Sequence, residues 1–180
     1  TLWDLRTAQP VRRLADAPDG ISAMAFLPGG KQLLAAGSNI PFTVWDLASG
    51  EIVRSFGGAQ GNVRSTEVSP DGRYFISNEG EPALWRFHDG RKIATFEFRD
   101  SASFDADGHL LLNRGPDISK NPDGGWEIWT LRGSEPVRTH GGRGNLLFLK
   151  DGKAVSKVGT RCEDERLIKW VLASGPDKPM

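Results

Sequence analysis

Short apolar runs separated by polar turn residues fill this chain from end to end. ISAMAF (21–26) is followed by LPGG, QLLAAG (32–37), SNIP, FTVWDL (42–47), ASG and EIVRSF (51–56). The order repeats as VRSTEVS, YFISNE, ALWRF and KIATFEF, and again as SASF, HLLLN, WEIWTL and PVRTH. A last cycle offers GNLLFL, KAVSKVG and LIKWVL, with no convincing fourth run in ASGPDKPM. Runs this short, rich in Val, Ile, Leu, Phe and Trp and bounded by Gly, Pro, Asn and Asp, are those of antiparallel strands. No segment sustains apolar residues at 3.6-residue spacing, and proline or glycine interrupts nearly every window of helical length. The pattern predicts an all-β chain with four short strands per cycle.

The cycle has a nearly constant length. Trp3, Trp45, Trp85, Trp129 and Trp170 are separated by 42, 40, 44 and 41 residues. Turn glycines keep the same step: Gly30, Gly72, Gly108 and Gly152 each follow an apolar residue (Phe26, Val68, Phe104, Phe148) by four positions. A second series, Gly50, Gly90, Gly133 and Gly175, comes just after the later tryptophan segments. Asp-Gly and Gly-Gly pairs supply the positive φ of tight hairpin turns, so each cycle holds two such reversals and two longer connections. A fixed period of this size signals stacked units that cover one another's hydrophobic faces.

Four-stranded antiparallel units repeated in this way predict a β-propeller, with residues 1–180 as one region of about four ~42-residue repeats bounded near the five tryptophans. A Trp at a fixed strand position is expected to pack one blade on the next, and Trp126 to fill core or blade edge. The count of strands is short of a seven-bladed ring, which predicts an open arc or a piece of a larger propeller.

At these residues the chain resembles the WD-repeat propellers. Trp3-Asp4 and Trp45-Asp46 match that family's signature dipeptide, and SPDGR, VWDLASGE and FLPGGK resemble its turns. Later copies carry Arg86, Thr130 and Val171 in place of the aspartate, and no Gly-His pair occurs. In the family, a Gly-His pair links through a strand hydroxyl and a turn acid to the tryptophan. Here His140-Gly141 has the order reversed, Asn39, Glu79, Asp123 and Asp164 each stand six residues before a tryptophan, and Ser77 is the one strand hydroxyl in place. The resemblance therefore implies blades held by apolar packing with an incomplete hydrogen-bond network.

Composition narrows the function. With 23 basic and 23 acidic residues and no long block of either sign, the chain lacks the clustered basic face that grips nucleic acid. Its longest apolar runs are far too short to span a bilayer as a helix. Cys162 stands alone among Arg161, Glu163, Asp164 and Glu165, a setting that disfavours a thiolate, and a lone cysteine is compatible with a cytoplasmic location. His88, His109 and His140 fall in three repeats without the short spacings of a metal site, and read as isolated surface histidines. Asp117, Ser119, Asn121 and Asp123 alternate like calcium ligands, but Pro122 stands where the sharp-turn glycine belongs, and no glutamate closes the loop. Asp105 and Asp107 read as hairpin chemistry. No nucleophile elbow or phosphate-binding loop occurs. No cofactor or metal is expected.

The leading expectation is a non-catalytic scaffold that binds a protein or peptide. The loops before the innermost strands (15–20, 57–62, 99–101, 140–144) and before the tryptophan strands (38–41, 79–82, 115–125, 160–165) should share one face. Arg64, Asp117, Lys120, Arg143 and Asp164 are the candidate contacts there, and the extended loop 115–125 is its most distinctive feature. The alternatives are a propeller enzyme, of hydrolase or quinone-dependent dehydrogenase type, and a purely architectural segment without its own ligand.

Overall fold

The computed structural model describes residues 1–58, 61–97, 101–115, 124–132, 135–143, 145–148, 154–157 and 168–170. The chain forms two compact units, Thr1–Ala102 and Ser103–Met180. In the first, β1 (Leu2–Asp4) and β2 (Gln9–Arg12) make a two-stranded sheet. β3 (Ile21–Phe26), β4 (Gln32–Gly37), β5 (Pro41–Asp46) and β6 (Ile52–Gly58) make a four-stranded meander. β7 (Ser65–Val68), β8 (Tyr74–Asn78), β9 (Pro82–Arg86) and β10 (Arg91–Thr95) make a second. β11 (Ser101–Phe104) starts at the unit boundary and opens a third meander with β12 (Leu110–Arg114), β13 (Gly125–Arg132) and β14 (Glu135–Arg143). β15 (Asn145–Phe148), β16 (Ala154–Lys157) and β17 (Ile168–Trp170) form a three-stranded sheet. Every strand in the described residues belongs to an antiparallel sheet of the kind that builds propeller blades, and no pairing among them closes the sheets into a ring.

In the four sheets from β3 onward the recurring tryptophan pairs near the start of the second strand. On the second strand its partner is Leu33 for Trp45, Phe75 for Trp85, Leu110 for Trp129 and Ala154 for Trp170. The reversals between first and second strands also repeat: Gly30, Gly72 and Gly108 have φ of 65°, 71° and 82°, and their N–H groups donate to the carbonyls of Leu27, Ser69 and Asp105. Only glycine adopts this left-handed conformation without a Cβ penalty.

The core of the first unit lies between its two four-stranded sheets. Ala23, Leu34, Ala36, Phe42 and Val44 from one side meet Val63, Phe75, Ala83 and Trp85 from the other. Within it Phe42 approaches both Phe75 and Trp85 edge-on at 4.9 Å, while Phe75 and Trp85 stack at 6.0 Å. Such pairs add about 0.5–1.5 kcal/mol each beyond area burial. On the outer strands Arg54 lies over the Phe56 ring at 5.0 Å and the Phe87 ring at 5.8 Å, and donates to the His88 carbonyl. In the second unit Leu110, Leu111 and Leu112 are buried, and Trp126 packs against Leu111 and Ile128 as edge filling.

One expectation needs correction. Trp3 is 55% exposed, against 0% for Trp45 and 5% for Trp85, so it does not share the interblade packing. The cause is its sheet: Trp3 has only Pro10 of β2 opposite it, whereas Trp45 is flanked by Leu33 of β4 and Ile52 of β6. The hydrogen-bond network is partial, with the strand hydroxyl and turn acid in place in one sheet. The Trp85 indole donates to Ser77 at 2.8 Å and Ser77 donates to Glu79 at 2.6 Å. Trp45 instead uses the Ala15 carbonyl at 2.8 Å, and Trp129 uses Glu127 at 3.1 Å. These three indole N–H groups use three different acceptors.

Candidate functional site

Four connections of the first unit meet at one end of its sheets. A side chain at Gly37 would overlap the Gly20 carbonyl, and one at Gly58 would come within 2.6 Å of the Ile40 carbonyl, so these backbones approach as closely as only glycine permits. Ser38 donates to Asn62 at 3.1 Å, and a Cβ at Gly61 would lie 3.7 Å from the Glu79 carbonyl. The β2–β3, β4–β5, β6–β7 and β8–β9 connections are thus joined in a row. Residues 13–15 run elsewhere, against the β5–β6 turn, where Ala15 N–H donates to Gly50 at 2.9 Å.

Polar groups, the buried Asn78 among them, fix this row to the strands. Ser22 in β3 donates to the Val63 carbonyl at 2.5 Å, and Arg64 N–H donates to the Asn78 carbonyl at 2.8 Å. The buried Asn78 amide donates to Ser65 at 2.7 Å and to the Ala102 carbonyl at 3.3 Å, and accepts Ala102 N–H at 3.1 Å. Buried amides satisfied in this way hold a backbone in one arrangement.

A groove of about 490 Å³ opens at this end, lined by residues 39–41 and 55–58. It arises from an irregularity in pairing: Pro41 stands opposite Gly58 and Phe42 opposite Phe56, leaving Gly57 unmatched. Such a bulge bends a strand end and re-aims its neighbours. Pro41 lacks an N–H and suits the first position of a strand, while Asn39 takes φ of 57°, a conformation asparagine tolerates better than most residues. Ile40, Pro41 and Phe56 give the groove apolar walls, and Asn39 and Ser55 stand exposed beside them.

Of the residues expected to make contacts, Arg64 lies in this row with its side chain exposed. Arg143 is the last residue of β14, opposite Gly125 in the second unit. Asp117, Lys120 and Asp164 lie outside the described residues, as does most of loop 115–125. The groove was not anticipated: its sequence signals were the Gly57-Gly58 pair and the Asn-Ile-Pro triplet, neither of which specifies a bulge.

Asp105, Asp107 and His109 bring potential ligand atoms within 4.8 Å of one another. Asp105 is buried, and its carboxylate already accepts N–H of Asp107 at 3.0 Å and of His109 at 2.7 Å, and meets His109 Nδ1 at 2.7 Å. His109 is therefore paired, not an isolated surface histidine. Ser69, at the equivalent turn, accepts Tyr74 N–H at 3.0 Å in the same manner. The cluster is a turn cap, and a cation there would have to displace the Asp105–His109 contact.

No family model matches the sequence. Over 95 residues, 52% of this chain, it is 26% identical to transcription initiation factor TFIID subunit 5 of Caenorhabditis elegans, covering 15% of that protein. Over 86 residues, 47% of this chain, it is 27% identical to cilia- and flagella-associated protein 52 of Sus scrofa, covering 14% of that protein. The matched stretch is thus about one seventh of each of these relatives. Among solved structures, the β-propeller domain of Myceliophteria thermophila Cps50 (Swd1) superposes over 87% of this chain and 54% of its own, with a TM-score of 0.65 at 18% identity. Kuenenia stuttgartiensis hydrazine synthase superposes over 88% of this chain and 49% of its own, with a TM-score of 0.58 at 16% identity. These last two likenesses concern the fold.

Proposed function

We propose that this chain, a WD-repeat β-propeller region, is a non-catalytic platform that binds a protein or peptide through the loop end of its sheets. One observation carries the reading: the loops of the first unit are braced by the buried Asn78 amide and by Ser22, and one of them walls an apolar groove with the end of β6. Recognition usually resides in loops held by a rigid scaffold, and small apolar grooves with a few polar groups at the rim are where side chains of partners lodge. The only cluster of His and acidic groups among the described residues caps a turn, which favours binding over chemistry. The same reading places the protein in the cytoplasm and gives it neither nucleic acid nor membrane as a partner. Propellers also occur in enzymes, so fold alone does not decide between platform and catalyst.

The test is cross-linked affinity capture with the full chain, followed by the same capture with Arg64→Glu, which changes the loop row, and with Lys31→Glu, which lies at the opposite turn. The expected result is one defined protein partner, lost with Arg64→Glu and kept with Lys31→Glu. Capture that neither substitution disturbs would place binding elsewhere. Turnover of a lactone or an alcohol by the purified chain would replace the platform with an enzyme.

A further inference from the structure

We propose that the loop end of the first unit takes a basic peptide, one aliphatic side chain entering the groove while flanking lysine or arginine side chains face Asp19, Glu79 and Glu81. The inference rests on the platform reading above and specifies the chemistry of its partner.

Two observations join here. The groove lining holds no charged residue: residues 39–41 and 55–58 are Asn-Ile-Pro and Ser-Phe-Gly-Gly. What enters it is apolar and uncharged, because an ionised group would lose its hydration without finding a partner. The charges lie in the connections that adjoin it. Among the described residues, Asp19 precedes Gly20, whose carbonyl meets Gly37, and Glu79 and Glu81 belong to the β8–β9 connection that meets Gly61, with Arg64 as the guanidinium of the row. Asp19 and Glu81 are exposed, and Glu79 is half-buried with Oε1 accepting the Ser77 hydroxyl. Carboxylates in the connections next to an uncharged groove complement a partner whose cations flank an apolar anchor. Such complementarity steers encounter and discriminates between partners more than it adds affinity.

The chain as a whole is neutral, so this local excess of acid is a property of the loop end and not of overall composition. The groove is walled by one loop and one strand end. The row runs on from it through the Ser38–Asn62 bond to Glu79. A short stretch of chain spans such a row better than a compact small molecule. A phosphate-rich partner is disfavoured, since three carboxylates would face its backbone.

The experiment is fluorescence anisotropy with the full chain and a labelled, end-capped heptapeptide, Lys-Arg-Gly-Leu-Gly-Arg-Lys. Its controls replace every cation with glutamate, or the leucine with glycine. Two proteins accompany the parent: the double variant Asp19→Lys/Glu81→Lys, and Ser55→Trp, which places a ring at the groove from an exposed edge-strand position. Thermal melts confirm that both remain folded; should the double variant melt early, Asp19→Asn/Glu81→Gln takes its place. The basic peptide should bind the parent and weaken at least tenfold in the charge variant. It should weaken at least fivefold in Ser55→Trp or when its leucine is removed. The acidic peptide should bind only the charge-reversed protein. No binding of the basic peptide, equal binding of the acidic one, or indifference to both variants would overturn the proposal. If capture in the preceding section still yields a partner lost with Arg64→Glu, the platform stands and only the partner's chemistry is wrong.

Discussion

Ser77 lies against Trp85 and accepts its indole N–H at 2.8 Å, while passing its own proton to Glu79 at 2.6 Å. Ser77 is fully buried and Trp85 nearly so, so neither group has water to fall back on. A buried indole N–H without an acceptor is costly, and Trp45, Trp85 and Trp129 each have one. In this sheet the acceptor is a side-chain hydroxyl that itself donates to a second side chain.

Ser77→Ala should therefore destabilise by about 1–3 kcal/mol, the cost of an orphaned buried donor. Trp85→Phe removes the donor instead. Combined, the two substitutions should cost less than their sum, with a coupling of about 0.5–3 kcal/mol in a double-mutant cycle from urea melts. Strict additivity would mean that Trp85 N–H reaches another acceptor once Ser77 is gone.

The tryptophans should divide by environment and not by sequence equivalence. Trp45 is wholly buried and donates to Ala15, so Trp45→Ala should cost about 3–5 kcal/mol. Trp3 is more than half exposed, and Trp3→Ala should stay within about 1 kcal/mol. Denaturant midpoints for the two variants measure the gap. Equal losses would imply that Trp3 is covered in solution.

The strands were legible because both of their signals are local. β3, β4 and β11 coincide with the runs ISAMAF, QLLAAG and SASF, whose ends are set by Gly, Pro, Asn and Asp. The groove was not legible, because it depends on Gly57 being left unmatched between the partners of Pro41 and Phe42, where local preference gives way to pairing across strands. Nor was the acceptor of Trp45, which comes from thirty residues upstream. At the broken signature Arg86 the turn is held differently. Asp46 caps its turn by accepting the N–H groups of Ala48 and Ser49, and Ser49 accepts Glu51 N–H at 3.2 Å. Asp89, the counterpart of Ser49, accepts Arg91 N–H at 3.1 Å and pairs with Arg86 itself, at 2.5 Å to Nη2.

Turn glycines should differ in tolerance by what surrounds them. Gly30 and Gly90 both have positive φ, 65° and 70°. A Cβ at Gly30 meets nothing within 4 Å, so Gly30→Ala should cost about 1 kcal/mol of backbone strain. A Cβ at Gly90 would lie 2.6 Å from the Phe56 ring, in a packed aromatic cluster. Gly90→Ala should add roughly 1–3 kcal/mol of overpacking to the same strain. Melting of the two variants side by side separates the terms, and a Gly90 variant as stable as the Gly30 one would show that Phe56 moves aside freely.

Acid should unfold the chain through its turn aspartates. Asp46 is held below the usual carboxylate range chiefly by the Ser49 N–H, and Asp89 chiefly by hydrogen bonds from Arg86. At Asp71 partial burial pushes upward, but the Arg73 N–H and the Ser69 hydroxyl outweigh it and the net direction is down. In the unfolded chain all three return to about 3.9. A carboxyl whose folded pKa is depressed contributes stability that is complete above its unfolded pKa and vanishes as pH falls through the folded one. Melting temperature should thus be flat from pH 7 to about 5 and decline below about 4. Salt should weaken the Arg86–Asp89 and Arg73–Asp71 parts while leaving the backbone N–H part intact, because only the ion pairs are contacts between solvent-accessible charges. Asp46→Asn/Asp71→Asn/Asp89→Asn should start lower at pH 7 and fall less steeply in acid, as followed by circular dichroism between pH 2 and 7. An acid slope unchanged in that triple variant would move the effect from these turns to other carboxylates.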